Sequence, residues 1–148
     1  MPISETVPVL EDKLGHRFAD RELLLRAVTH ASYSAEHPGV EHQQALAFVG
    51  DAVLALVVAE QLWRTAPDAP VGSLTARRAE LVADDTLARW AITLELGALL
   101  RLGRGAEQTG GRETASMLAT ALEALLGALY AEAGLPAVRR VVGGLAGW

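Results

Sequence analysis

The chain has 148 residues, a formal net charge of −5 and no cysteine, with hydrophobic residues at 51% and aromatic residues at only 5%. That length suits about one domain with a real core, and the lack of cysteine excludes disulfides, thiolate nucleophiles and cysteine-type zinc sites, which makes a cytoplasmic protein the default expectation. The acidic balance argues against a nucleic-acid binder that is basic over its whole surface, but leaves room for a local basic strip.

A core short of rings must be built of Ala, Leu and Val, and with few β-branched runs such a composition predicts an all-α fold, here as one domain over 1–148. The opening MPISETVPVLEDKLG is neither basic nor followed by a signal-type apolar stretch, so no export signal is expected. Val7 to Gly15 reads as a short helix stopped by Gly15. Asp20 is a good N-cap for a helix from Arg21 to His30, whose Leu23, Leu24 and Ala27 make one apolar stripe. His30, in Thr29-His30-Ala31-Ser32, reads as a structural hydrogen-bonding residue at the helix end. Ser34 to His42, with Pro38-Gly39, reads as a polar loop on which His37 and His42 find no third ligand for zinc.

The next stretch, Gln43 to Trp63 (QQALAFVGDAVLALVVAEQLW), organises the rest. From Leu46 to Ala59 its only charge is Asp51, and a helix apolar on every face should be central. A carboxylate taken out of water there must find a cation, hydrogen-bond donors or a proton. Ala47, Gly50, Ala52 and Ala55 let a second helix come close beside it. The apolar run falls short of about 20 residues and carries an acid, so no membrane span is expected.

After the connection TAPDAP, Gly72-Ser73-Leu74-Thr75 opens a helix through Val82 that carries Arg77 and Arg78, and Asp84 or Asp85 caps another, from Thr86 to Leu96, ended by Gly97. Arg101 to Arg112 (RLGRGAEQTGGR) is glycine-rich and cationic. It reads either as a flexible solvated turn or as a phosphate-contacting loop, without a nucleotide-loop pattern to decide between them. A second core helix follows, ASMLATALEALLGALYA, in which Glu123 is the only charge from Ala115 to Ala131, with small Ala119, Ala124 and Gly127 near it and Thr120 one turn before it. Gly134-Leu135-Pro136 breaks that helix, and Ala137 to Trp148 forms a last amphipathic one.

Two solitary acids on two apolar helices admit two readings. They face each other across a close helix pair and share a hard cation such as Mg²⁺, or each pairs separately with a cation such as His30 or Arg78. Residue pattern alone leaves both open.

The phrase ALAFVGDAVL resembles the signature helix of the ribonuclease III family. LLLRAVTHASY, VGSLTARRAELVADDTLARWA, LRLGRGAEQTGGR and SMLATALEALLGALYAEAG agree with that family in the same order, over about residues 8–148. The resemblance implies the family's nuclease-domain helical bundle, normally a homodimer, which acts with Mg²⁺ (Mn²⁺ as substitute) on double-stranded RNA. It also implies metal-assisted phosphodiester hydrolysis that leaves a 5′-phosphate and a 3′-hydroxyl. Asp51 falls on the signature aspartate and Glu123 on the second-helix glutamate, so these two are the expected catalytic and metal-binding residues.

Four positions depart from the family pattern. Ala47 stands where the usual enzymes have a metal-binding Glu, Thr120 where they have an Asp, Gln44 in place of another signature acid, and Val71 where a Glu commonly precedes Gly-x-Leu. In these positions the chain is similar to Mini-ribonuclease III, a short branch that trims ribosomal RNA precursors and lacks a double-stranded RNA-binding domain. It also resembles degenerate members of the family that persist as RNA-associated scaffolds. The chain stops at Trp148 with no RNA-binding module in sight, so RNA affinity is expected from Arg78, Arg101, Arg104 and Arg112, or from a helper such as a ribosomal protein. Phe48 sits where the family's signature-helix aromatic enters a pocket on the partner subunit, which makes it the expected dimer residue.

Overall fold

The computed structural model describes residues 3–148 as α1 (Ile3–Leu14), α2 (Arg21–Ala27), α3 (Ala31–Glu36), α4 (Gln44–Thr65), α5 (Val71–Leu81), α6 (Asp84–Thr93), α7 (Arg104–Gln108) and α8 (Ala115–Ala146). Tight 3₁₀ turns lie at Leu96–Leu99 and Gly111–Glu113, and the only extended pairing among the described residues is a parallel bridge between Thr29 and Arg101. The all-α expectation holds.

The two most apolar stretches of sequence became the two longest helices, and these form the centre. Val53, Leu54, Val57, Val58 and Leu62 of α4 share one buried cluster with Leu122, Leu125, Leu126 and Leu129 of α8 and with Leu87, Ala88, Trp90 and Ala91 of α6. Two glycines set how near α4 and α8 come. A Cβ built on Gly50 would lie 2.6 Å from the Glu123 carbonyl carbon, and one on Gly127 would lie 2.9 Å from that of Leu46. Each helix thus lays its own backbone into the groove that the other's missing side chain leaves. α8 is interrupted where its sequence foretold: Gly134 has φ 78° and ψ −176°, and Pro136 follows.

Two acids tie the amino-terminal part to this core. Glu11, almost fully buried, accepts from the Phe18 backbone N–H at 2.7 Å and from Arg21 Nη1 at 3.0 Å. Glu132 of α8 meets His16 Nε2 at 2.5 Å and accepts the Asp20 N–H at 2.9 Å. Burial pushes the Glu132 carboxyl up, but the hydrogen bonds from Asp20, His16 and Ala19 and the charge of His16 outweigh it and hold the group below its ordinary value.

Several elements differ from the sequence expectation. α2 stops at Ala27, because Val28 and Thr29 turn away to pair with Arg101 (Arg101 N–H to Val28 O, 2.8 Å; His30 N–H to Arg101 O, 3.0 Å). His30 lies outside that helix and caps α3, its Nδ1 accepting the Ser32 N–H at 3.1 Å, so part of the expected polar loop is helical. Its imidazole is held below the ordinary histidine value, first by burial and then by His42. The N-cap of α6 is Ala83, with Asp84 and Asp85 in the first turn, and the helix ends at Thr93. Glu95 then takes a left-handed φ of 55°, and Gly97 falls inside the following 3₁₀ turn.

The expected shortfall in apolar length does not hold. α4 runs 22 residues, and both α4 and α8 are long and apolar enough by composition to cross a membrane; here they pack on each other. Nor is α4 buried on every face. Phe48, Val49, Leu56 and Trp63 form an exposed apolar stripe along it, with Phe48 81% exposed.

Candidate active site

The glycine crossing decides where the two solitary acids go. Gly50 rests against the backbone of Glu123, so Asp51, the next residue on α4, is brought to the Glu123 side chain on α8. The two carboxyl groups are within hydrogen-bonding reach of each other. Glu123 is pushed up to about 7, by partial burial first, then by the hydrogen bond to Asp51, the charge of Asp51 and the charge of Asp84. Near neutral pH Glu123 is therefore about half protonated, the behaviour expected of a partly buried carboxyl with other acids beside it.

Asp51 itself is exposed, against the expectation that it is buried, because the part of α4 that carries it borders the helix's open face. The separate-partner alternative is not what forms. Among the described residues neither Asp51 nor Glu123 joins an ion pair, His30 is bonded to Ser32, and Arg78 points to solvent.

Sequence reasoning missed Asp84 as part of this neighbourhood. The sequence reads Asp84 or Asp85 as a helix cap, yet the N-cap is Ala83, and the charge of Asp84 acts on Glu123 from the start of α6. The available signal was an acidic doublet, Asp84-Asp85, opening a helix that packs on the Glu123 helix. Among the described residues no set of three or more His, Cys, Asp or Glu is placed to hold an ion. Asp51 and Glu123 are two hard oxygen donors side by side, so a divalent cation held there would take waters and a substrate oxygen in its other positions.

A Ribonuclease-III-like family model matches residues 20–145. The chain belongs to the ribonuclease III family. It is 47% identical over 134 residues to the Ribonuclease 3 of Caldanaerobacter subterraneus subsp. tengcongensis, covering 90% of this chain and 59% of that protein. With the Ribonuclease 3 of Streptomyces coelicolor it shares 48% over 134 residues, covering 90% of this chain and 48% of the relative. Among solved structures, the nuclease domain of ribonuclease III from Campylobacter jejuni superposes with a TM-score of 0.88 at 36% identity, covering 94% of each chain. The chain spans about half the length of the curated relatives it matches.

In this ribonuclease III-like domain, the four departing positions stay empty of acid oxygens. Ala47 packs partly into the core, the Thr120 hydroxyl donates to the Ser116 carbonyl of its own helix at 2.9 Å, Gln44 is exposed, and Val71 is 77% exposed.

Two of the four expected phosphate-contacting arginines are engaged inside the fold. Arg101 Nε donates to Thr29 Oγ1 at 2.8 Å and its guanidinium lies over the Tyr33 ring, while Arg112 donates to the Gly97 and Leu100 carbonyls at 3.0 and 2.5 Å and to Glu107 at 2.8 Å. The segment 101–112 is consequently an anchored connection and not a mobile loop: it contains α7, and Glu36 accepts the Arg104 N–H. Among the described residues the guanidinium groups of Arg78 and Arg104 are unpaired, as are those of Arg77 and Arg140, which the sequence expectation did not include. Consecutive unpaired arginines at 77 and 78 on an exposed helix were the readable sign.

Proposed function

We propose that this chain is the nuclease domain of a divalent-cation-dependent endoribonuclease that cuts double-stranded RNA as a homodimer in the cytoplasm. The observation that carries the proposal is the Asp51–Glu123 pair, two carboxyls pressed together at a glycine crossing with no basic partner. Leaving two acids so placed is costly unless something positive joins them. Mg²⁺, with Mn²⁺ as substitute, suits their hard oxygens; when bound, such an ion polarises a phosphoryl oxygen and renders a coordinated water more acidic.

The protein's own groups do the remainder. Asp51 sits exposed at the rim, where a phosphodiester can reach it, and Glu123 stands half-buried behind it. With a value near 7, Glu123 holds or gives up a proton at neutral pH, so the pair can trade the Glu123 proton for a cation. Arg77, Arg78, Arg104 and Arg140 are the free cations for the RNA backbone. Few such contacts predict weak binding that falls steeply with salt.

Phe48 belongs to the dimer face. An apolar stripe of Phe48, Val49, Leu56 and Trp63 left in solvent is the kind of patch a partner covers, and the Campylobacter jejuni relative is described with structural flexibility in a region involved in dimer formation. Phe48→Asp is expected to give a folded monomer by light scattering with unchanged helical content. A variant still dimeric would remove Phe48 from the interface.

For the natural RNA, the likeness of the site positions to the short Mini-ribonuclease III branch favours ribosomal RNA precursors, with a ribosomal protein as helper. A second reading, a scaffold that binds RNA without cutting it, is favoured by Ala47 and Thr120, which leave an ion two anionic ligands where the usual enzymes have four. Incubation of an RNA duplex with Mg²⁺, Mn²⁺ or EDTA separates the two. Cutting that needs the cation and is lost in both Asp51→Asn and Glu123→Gln supports the enzyme. Duplex binding without cutting supports the scaffold, and neither binding nor cutting leaves only a general interaction fold.

A further inference from the structure

α8 ends at Ala146, and Gly147, with a left-handed φ of 76°, turns the chain back so that the Trp148 N–H reaches the Gly143 carbonyl at 2.9 Å. That turn brings Trp148 to the wall of an open cavity of about 550 Å³ lined by α5, α6 and the end of α8. Such a volume is in the range of small-molecule sites.

The walls of the cavity differ in chemistry. Arg77 of α5 and Arg89 of α6 line it, and among the described residues neither guanidinium joins an ion pair. Glu80 lines it too and is likewise without an ion pair there. The Thr86 hydroxyl ties the two helices at this point, donating to the Glu80 carbonyl at 2.7 Å and accepting from Arg89 Nη2 at 3.3 Å. Trp90 supplies another wall. It is only 7% exposed, yet its indole N–H has no hydrogen-bond partner among the described residues. A tryptophan so far buried ordinarily finds an acceptor.

Two guanidinium groups free of acids suit a phosphate, whose oxygens match their fork of donors. A bare oxyanion would leave both indoles unused and would meet the Glu80 carboxylate as a like charge. A phosphate joined to a flat ring with N–H donors satisfies the arginines, the indoles and the acid together. We propose that this cavity binds a guanine mononucleotide, with its phosphate on Arg77 and Arg89, its base stacked on Trp148 and the N–H donors of the base turned to Glu80. Guanine is preferred to adenine because it offers one carboxylate two adjacent N–H groups, and a ligand oxygen supplies the acceptor that Trp90 lacks. Neither Asp51 nor Glu123 lines the cavity, so the site is separate from the carboxylate pair.

Titration calorimetry on the whole chain in EDTA, with GMP, AMP, guanosine and inorganic phosphate as probes, reads the site. No RNA or metal enters it, so its failure leaves the nuclease reading untouched. GMP should bind once per chain and more tightly than the other three. Arg89→Gln should weaken GMP about tenfold or more through the lost charged hydrogen bonds, and Trp148→Ala by a similar factor through lost stacking. Glu80→Gln should narrow the gap between GMP and AMP, whereas Arg104→Gln, which removes an unpaired guanidinium outside the cavity, should change nothing. All four side chains are exposed, so helical content should match the parent in each variant. Absence of GMP binding, inorganic phosphate binding as tightly as GMP, or a GMP affinity indifferent to Arg89 and Trp148 would overturn the inference.

Discussion

Gly50→Ala should lower the stability of the folded chain by about 3 kcal/mol or more, at or beyond the upper end of ordinary overpacking. The added methyl has nowhere to go. It would collide with the carbonyl group of Glu123, and backbone in the middle of a helix cannot swing aside as a side-chain end can. The helices must move apart, which opens the Leu and Val layer shared by α4 and α8 and also separates Asp51 from Glu123. For a chain of this size such a loss lowers Tm by roughly 10 °C. Gly127→Ala meets the Leu46 carbonyl from the other side and should cost a similar amount, whereas Gly72→Ala, with open space around it on α5, should be neutral or slightly stabilising. Urea unfolding of the three variants checks this. Near-native stability of Gly50→Ala would mean that α4 and α8 are not held at glycine contact.

Glu123→Gln should raise stability at pH 8 and leave it nearly unchanged at pH 4. The sign follows from proton counting. Glu123 titrates near 7 in the folded chain and near the ordinary glutamate value of about 4.5 when unfolded. Between those values the folded state holds more protons than the unfolded one, so stability falls as pH rises through that window and the penalty is complete above about 7. Glutamine carries no charge at any pH and escapes it. In Mg²⁺-free buffer with EDTA, melting curves from pH 4 to 8 should show the variant and the parent converging on the acid side and parting by several degrees on the alkaline side. Glu132 acts in the opposite sense below that range, because a carboxyl held down by its hydrogen bonds loses their benefit as pH falls through its folded value. Curves that stay parallel would show that Glu123 does not carry the strain of a second carboxyl.

How much of this was legible in the sequence follows from where the determining contacts lie. Glu123 was readable because an acid alone in an apolar helix announces a need, and the crossing was readable because Gly50 and Gly127 stand beside the two acids in the chain. The exposure of Asp51 was not, since an apolar helix looks the same whether a face is covered by its own core or left for a partner. Likewise, the glycines of 101–112 suggested freedom, but the anchors of that segment are seventy residues away in Thr29 and Glu36 or hidden in the Gly97 and Leu100 carbonyls. Arg101 and Arg112 therefore look available in the sequence while their guanidinium groups are already engaged. Asp84 lay in plain view as a helix-start residue, and only the packing of α6 on α8 brings its charge to Glu123.

Titration calorimetry with Mg²⁺ at pH 8, on the parent, Asp51→Asn and Glu123→Gln, tests most directly whether the two acids hold a cation together. The account predicts one weak site per chain that disappears in either variant. Absence of binding in the parent, or binding of equal strength in all three, would contradict it.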